Sequence, residues 1–342
     1  RGEKRTFAGL LLRTMAQWVA IEYGYVTISV IAIVLNSIVI YLFHTRKYLR
    51  NMYSNIFLFS LAISDLCYAA VAIPLLIKCE HIYRDGLQPP QPVCYAYEYV
   101  MVFFGYSTVC HIVLAIAEKL CAICFALKHH AVFCKSIAIK LSLFVWLISI
   151  LFTHIPVWWD YFFPGSGEKN RERDEAYQKF HFATGYAIPV LTSAIMYSII
   201  LHKIFKAANK RLTEDTQQKR ARLHAEKKAA LTFAVMLGAF LFAWSTWFFV
   251  RVHHQIMNGI RMYHFLTISR LLDPILNPLL YTFLKNDFRQ AFLRLFWGKR
   301  RNNEQETMRL ARMNNHVSGT STHEDILHSP RTLQRSVRAQ VQ

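Results

Sequence analysis

Long apolar runs separated by short polar stretches set the organisation of this chain of 342 residues. A hydrocarbon layer about 30 Å thick is crossed by roughly 20 consecutive, mostly apolar helical residues. Seven blocks meet that length, at about 24–44, 54–79, 94–124, 137–159, 182–205, 229–252 and 262–284. Barrel strands would give shorter, alternating segments, so the pattern predicts an all-α membrane protein with a bundle of transmembrane helices. After the last block, "KNDFRQAFLRLF" (285–296) places apolar residues at helical spacing with basic residues between them, which predicts a short amphipathic helix. The expected organisation is an N-terminal segment at 1–23, a helical bundle with its appended helix at 24–297, and a disordered polar tail at 298–342.

Composition agrees: 54% of the residues are hydrophobic and only 18% charged, too few charges for an ordinary soluble protein of this length. A formal net charge of +19 raises the question of nucleic acid, but the distribution of the charge argues against it. Arg46, Lys47 and Arg50 follow the first block. Lys203, Lys206, Lys210, Arg211, Lys219, Arg220, Arg222, Lys227 and Lys228 fill the gap between the fifth and sixth. Lys285, Arg289, Arg294, Lys299, Arg300 and Arg301 follow the seventh. With seven crossings these gaps share one side, and the positive-inside rule makes that side cytoplasmic, with the N-terminus outside. The basic clusters serve as topology signals against anionic lipid, as contacts for a cytoplasmic partner, or as both. No cleavable signal peptide is evident in "RTFAGLLLRTMAQW", so the first helix is expected to act as its own insertion signal. No internal repeat marks duplicated transporter halves. No nucleophile–base pair or metal-ligand cluster stands out, so no enzyme is expected.

The polar residues inside the blocks fall in a recognisable order. Asn36 lies in "IVLNSIVIY", Asp65 in "SLAISDL", Trp146 in "LFVWLIS", Pro189 in "YAIPVL" with Tyr197 further on, and Trp244 in "FLFAW". Asn277, Pro278 and Tyr281 form "NPLLY". One signpost per helix, in register, resembles the rhodopsin-like family of G-protein-coupled receptors over about 20–297. The resemblance implies a seven-transmembrane helix bundle at the plasma membrane, with 285–296 lying on the inner leaflet. It implies an extracellular ligand, small molecule or peptide, heterotrimeric G proteins as partners, and arrestin recruited by a phosphorylated tail, "SGTSTHEDILHSPRTLQRS" (318–336).

The same resemblance groups Asp65 with Thr108, Asp273 and Asn277 around a polar core that holds a sodium ion in the family, the only metal or cofactor expected. Oxygen ligands and a buried carboxylate suit that hard cation. Asp273 stands where the family has an amide, and its other reading is an ion pair with Arg270 on the same helix face. At the inner end of helix three, Glu118, Lys119 and Leu120 occupy the place of the family's acid-Arg-Tyr segment. Lys119 is expected to bridge Glu118 and Glu226 of helix six, with Tyr197 and Tyr281 as its partners once helix six moves; the bland alternative is a snorkelling surface cation. An ammonium lacks the planar fork of guanidinium, so weaker coupling or altered resting activity is expected. The family's helix-six proline is replaced in "WST" (244–246), which predicts a straighter helix. A weakly coupled or non-signalling binding protein on the same fold is therefore the alternative function.

The resemblance places the ligand pocket among Tyr97, Glu98, Met101, Gly105, His181, Tyr186, Trp244, Trp247, Phe248, Arg251, Thr267 and Arg270. Met101 stands where amine receptors carry an Asp. No lysine occurs from 229 to 284, so retinal held as a Schiff base is excluded. Arg251 and Arg270 fit a ligand with an acidic group, unless Arg270 pairs with Asp273 or Asp65. Cys94 sits where the family has a disulfide cysteine, and 160–181 has no cysteine to meet it. A Cys79–Cys94 bond or two free thiols are the alternatives.

Overall fold

The computed structural model describes residues 2–85, 92–125, 133–163, 168–210, 228, 231–232, 234–245 and 260–296. Two compact units divide the chain, Arg1–Phe292 and Leu293–Gln342. The first is the helical body; the described part of the second is the end of one helix.

Every regular element among the described residues is helical. In chain order these are α1 (Gly2–Thr45), α2 (Lys47–Arg50), α3 (Tyr53–Cys67), α4 (Ile73–Arg84), α5 (Pro92–Cys124), α6 (Lys135–Thr153) and α7 (Ile155–Phe162). They continue with α8 (Glu168–Phe182), α9 (Ile188–Lys210), α10 (Ala234–Ser245), α11 (Ile260–Leu271), α12 (Asp273–Leu284) and α13 (Asn286–Phe296). Five helical stretches among the described residues are long and apolar enough to cross a membrane: Ala16–Thr45, Tyr53–Arg84, Pro92–Cys124, Lys135–Thr153 and Arg171–Ile204. α10 is apolar but shorter, and its predicted block runs past the described residues. α1 begins well ahead of the apolar block at 24–44, so much of the expected N-terminal segment is helical.

The body is arranged for lipid. Leu143, Phe144, Leu147, Leu191 and Ile195 face outward, while Asn36, Asp65 and Asn277 are buried. A soluble fold would reverse this. α5 packs against α3, α4, α6 and α9, and α12 lies against α1 and α3. Ala62, Ala69, Ala72, Ala115 and Ser64 are fully buried, which lets helix backbones approach closely where apolar burial gives no drive inside lipid.

Prolines shape the long helices. π-helical turns at Tyr68–Ala72 and Ala183–Ala187 lie just before Pro74 and Pro189. A proline has no N–H and pushes on the carbonyl four residues back, and a wider turn accommodates both. Ser29 donates to the Ala69 carbonyl at 2.8 Å within the first of these turns. The helical stretch at 260–284 breaks at Leu272, between α11 and α12, ahead of Pro274.

Candidate functional site

The polar middle is built by α1, α3, α5 and α12. Pro278 cannot donate to the Pro274 carbonyl one turn earlier, which leaves that oxygen inside the bundle. Asn36 Nδ2 supplies the missing donor at 2.8 Å, and also reaches the Ala32 carbonyl at 2.8 Å. The signpost asparagine of α1 thus repairs the proline break of α12. Asn277 Nδ2 donates to Asp65 Oδ2 at 3.1 Å, and Thr108 and Asp273 flank the same carboxylate. Trp244 Nε1 reaches Asp273 Oδ2 at 3.4 Å. Asp273 Oδ1 and Asn277 Oδ1 are buried with no hydrogen-bond donor, so acceptor oxygens accumulate around Asp65.

Of the expected pocket residues, Tyr97, Met101, Gly105, His181, Trp244, Thr267 and Arg270 are buried, and Glu98 and Tyr186 are half-buried. Arg270 does not take the position expected from an ion pair with Asp273. Its Nη1 donates to Met101 Sδ at 2.6 Å and its Nε to the Leu266 carbonyl at 3.4 Å, while Trp244 engages Asp273. The indole of Trp244 lies on Gly105, where any Cβ would collide with the ring. Trp247, Phe248 and Arg251 lie outside the described residues. Cys79 and Cys94 are joined by a disulfide with Cα atoms 5.0 Å apart, which ties α4 to the start of α5.

The π turn at Ala183–Ala187, between α8 and α9, carries a network in which most protons can be assigned. Thr184 donates to the Phe180 carbonyl at 2.7 Å, so it accepts from the Tyr106 hydroxyl at 2.8 Å. The Tyr106 oxygen then accepts from His181 Nδ1 at 2.9 Å, which fixes the tautomer of that ring. Gly185 makes room, since a Cβ there would stand 3.3 Å from both His181 and Tyr106.

Near the end of α5 Lys119 Nζ pairs with Glu118 at 3.2 Å, and Glu118 is buried. Leu120 and Tyr197 are half-buried and Tyr281 is fully buried against Phe288. Glu226 lies outside the described residues.

A model of the family described as "7 transmembrane receptor (rhodopsin family)" matches residues 35–281, well over half of the chain. The chain belongs to that family. Among its relatives, the histamine H2 receptor of Rattus norvegicus is 26% identical over 310 residues, covering 84% of this chain and 82% of that protein. The octopamine receptor beta-2R of Chilo suppressalis is 23% identical over 308 residues, 78% of this chain and 76% of the other. The allatostatin-A receptor of Bombyx mori is 21% identical over 312 residues, 84% and 82% respectively. The family is one of multi-pass plasma-membrane receptors that signal through G proteins and are not enzymes.

Sequence reasoning missed several parts of this receptor. Tyr106 and Thr184 complete the His181 network, although the adjacency of Tyr106 to the pocket residue Gly105 was a usable signal. Lys285, grouped with the basic residues at the inner surface, is instead buried. Its ammonium meets Asp287 at 3.3 Å, Ser54 at 3.3 Å and the Asn55 amide oxygen. Asn55 Nδ2 donates to Asp287 Oδ2 at 2.8 Å and to the Leu49 carbonyl at 3.0 Å. Burial pushes Lys285 down to about 8, against the pull of Asp287. For Asp287 burial works upward, but the Lys285 charge and the Asn55 hydrogen bond outweigh it and hold the carboxyl below its usual range.

Proposed function

We propose that this receptor crosses the plasma membrane seven times with its N-terminus outside, binds an extracellular ligand bearing an acidic group, and activates heterotrimeric G proteins. In this reading α13 lies on the inner leaflet and 298–342 is a cytoplasmic tail that recruits arrestin when phosphorylated. The observation that carries the ligand class is the buried Arg270 guanidinium at Met101. Amine receptors of the family carry an acid where Met101 stands, and a cation beside that position repels an ammonium group. A guanidinium fork instead favours a carboxylate or phosphate. The names of two relatives refer to amines and one to allatostatin-A, so the relatives do not agree on a ligand class.

Signalling follows a population shift. Ligand favours the state in which helix six has moved outward, and the Glu118–Lys119 pair belongs to the resting state. The oxygens around Asp65 suit a sodium ion held by Asp65, Asp273 and Asn277, with Thr108 beside them; its charge would steady two carboxylates that otherwise repel. Replacing Arg270 with Gln tests the ligand class. Acidic compounds active in a promiscuous coupling assay are expected to lose at least about tenfold in potency, roughly 1.4 kcal/mol. Unchanged potency for every active acid contradicts the assignment.

A second reading, a weakly coupled binding protein on the same fold, is favoured by Lys119 in place of Arg and by Ser245-Thr246 in place of the helix-six proline. Lys119→Arg separates the two: higher evoked coupling supports the receptor, and silence of both forms supports the binding protein.

A further inference from the structure

The outer ends of α1, α4 and α11 hold a polar cluster that neither the ligand pocket nor the cytoplasmic switch uses. The Tyr25 hydroxyl donates to Glu80 Oε1 at 3.1 Å and stands 3.0 Å from His264 Nδ1, with all three residues buried. Since the hydroxyl has one proton and gives it to Glu80, His264 must donate its Nδ1–H to the Tyr25 oxygen. That contact fixes the Nδ1–H tautomer of the neutral imidazole. Its Nε2 is a buried acceptor without a hydrogen bond, and the ring stands 3.9 Å from Glu80. Trp18 presents an edge-on ring to His264 at 5.0 Å.

The surrounding charges do not neutralise Glu80. Glu22 of α1 is taken by His81 Nε2 at 3.0 Å, and His81 Nδ1 accepts from Arg84 at 2.9 Å. That chain links Arg84 through His81 to Glu22. Tyr97 of α5 and Tyr263 of α11 are the other titratable groups facing the cluster. A small cavity lined by Trp18, Glu22, Tyr25, Ile77, Glu80 and Arg84 lies beside it.

We propose that Tyr25, Glu80 and His264 form a proton-binding site at the outer face, through which extracellular acidity acts on the receptor. A proton added to Glu80 gives a neutral acid beside the Tyr25 hydroxyl. The cluster then loses its uncompensated buried charge, which is costly to hold away from water. The unfolded chain has no such cost to relieve, so the fold gains stability on acidification as Glu80 takes its proton. The site bridges three helices, and the proton therefore draws the outer end of helix seven onto helices one and two. The signalling part of this proposal rests on the receptor reading above, with the N-terminus outside.

The test is thermal unfolding of the purified full-length receptor in lipid nanodiscs from pH 8 to pH 5.5, paired with cellular signalling over the same range. The wild-type unfolding temperature is expected to rise by several degrees on acidification. Glu80→Gln mimics the protonated acid and is expected to abolish the rise; Tyr25→Phe removes the donor and is expected to move it to higher pH. Glu22→Gln removes a neighbouring negative charge and is expected to move the rise to lower pH without abolishing it. Wild-type signalling is expected to change about threefold across the range and that of Glu80→Gln to stay flat. A wild type without the rise, or a Glu80→Gln variant that retains it, overturns the proton site. Signalling that is present but indifferent to pH overturns its regulatory role. A stability rise without signalling at any pH upholds the site and counts against the receptor reading instead.

Discussion

Gly105 shows how one residue type can be fixed by a neighbour distant in sequence. The Trp244 indole occupies the space of a Cβ, and a helical glycine is otherwise unfavourable, so its presence reports that approach. Gly105→Ala is expected to destabilise the receptor by about 1–3 kcal/mol through overpacking and to displace Trp244. A lowered unfolding temperature together with altered resting activity checks it; wild-type behaviour in both contradicts the packing. The signpost residues Asn36, Asp65, Trp146, Pro189, Trp244 and Asn277 were legible because polar groups and prolines are costly in a membrane and their spacing carries information. The direction of Arg270 was not legible. Its partner Met101 lies on α5, 169 residues away in the chain, and no local pattern marks that approach. Burial of Lys285 escaped notice for the same reason: its partners Ser54 and Asn55 are more than 200 residues away in the chain.

At the scale of elements, helix seven depends on helix one. Asn36→Leu leaves the Pro274 carbonyl without a donor, and a loss of about 1–3 kcal/mol in stability is expected. Equal unfolding temperatures for variant and wild type would refute that role. The join between α12 and α13 rests on Lys285, Asp287 and Asn55. Burial lowers Lys285 to about 8, so between that value and the ordinary lysine range the unfolded chain binds the extra proton. Stability contributed at this site therefore rises with pH from about 8 upward. Asp287 is held below its usual range, so its contribution is present at neutral pH and is lost as pH falls through its folded value. Asp287→Asn is expected to flatten the acid limb of the unfolding profile while leaving an alkaline rise, and an unchanged acid limb contradicts the pairing. The π turns had no sequence signal beyond the prolines that follow them. Apolar periodicity located the helices but not their lengths, since α1 begins long before its apolar block.

For the whole molecule, the all-α membrane architecture was readable from block length alone, and family membership from the order of the signposts. What pattern did not give is function in detail, because ligand and coupling depend on a few substitutions whose effects are differences of small energies. In the proposed reading Met101 and Arg270 turn the pocket away from ammonium ligands, while Lys119 keeps the charge of the switch but loses the guanidinium fork. The central claim, that this bundle activates G proteins through that weakened switch, is tested most directly by nucleotide exchange. The purified receptor in nanodiscs is mixed with a panel of heterotrimeric G proteins, as wild type and as Lys119→Arg. The account predicts exchange above that of the G protein alone for at least one heterotrimer, raised several-fold in the variant. Exchange no faster than the G protein alone, for both forms across the whole panel, would contradict it.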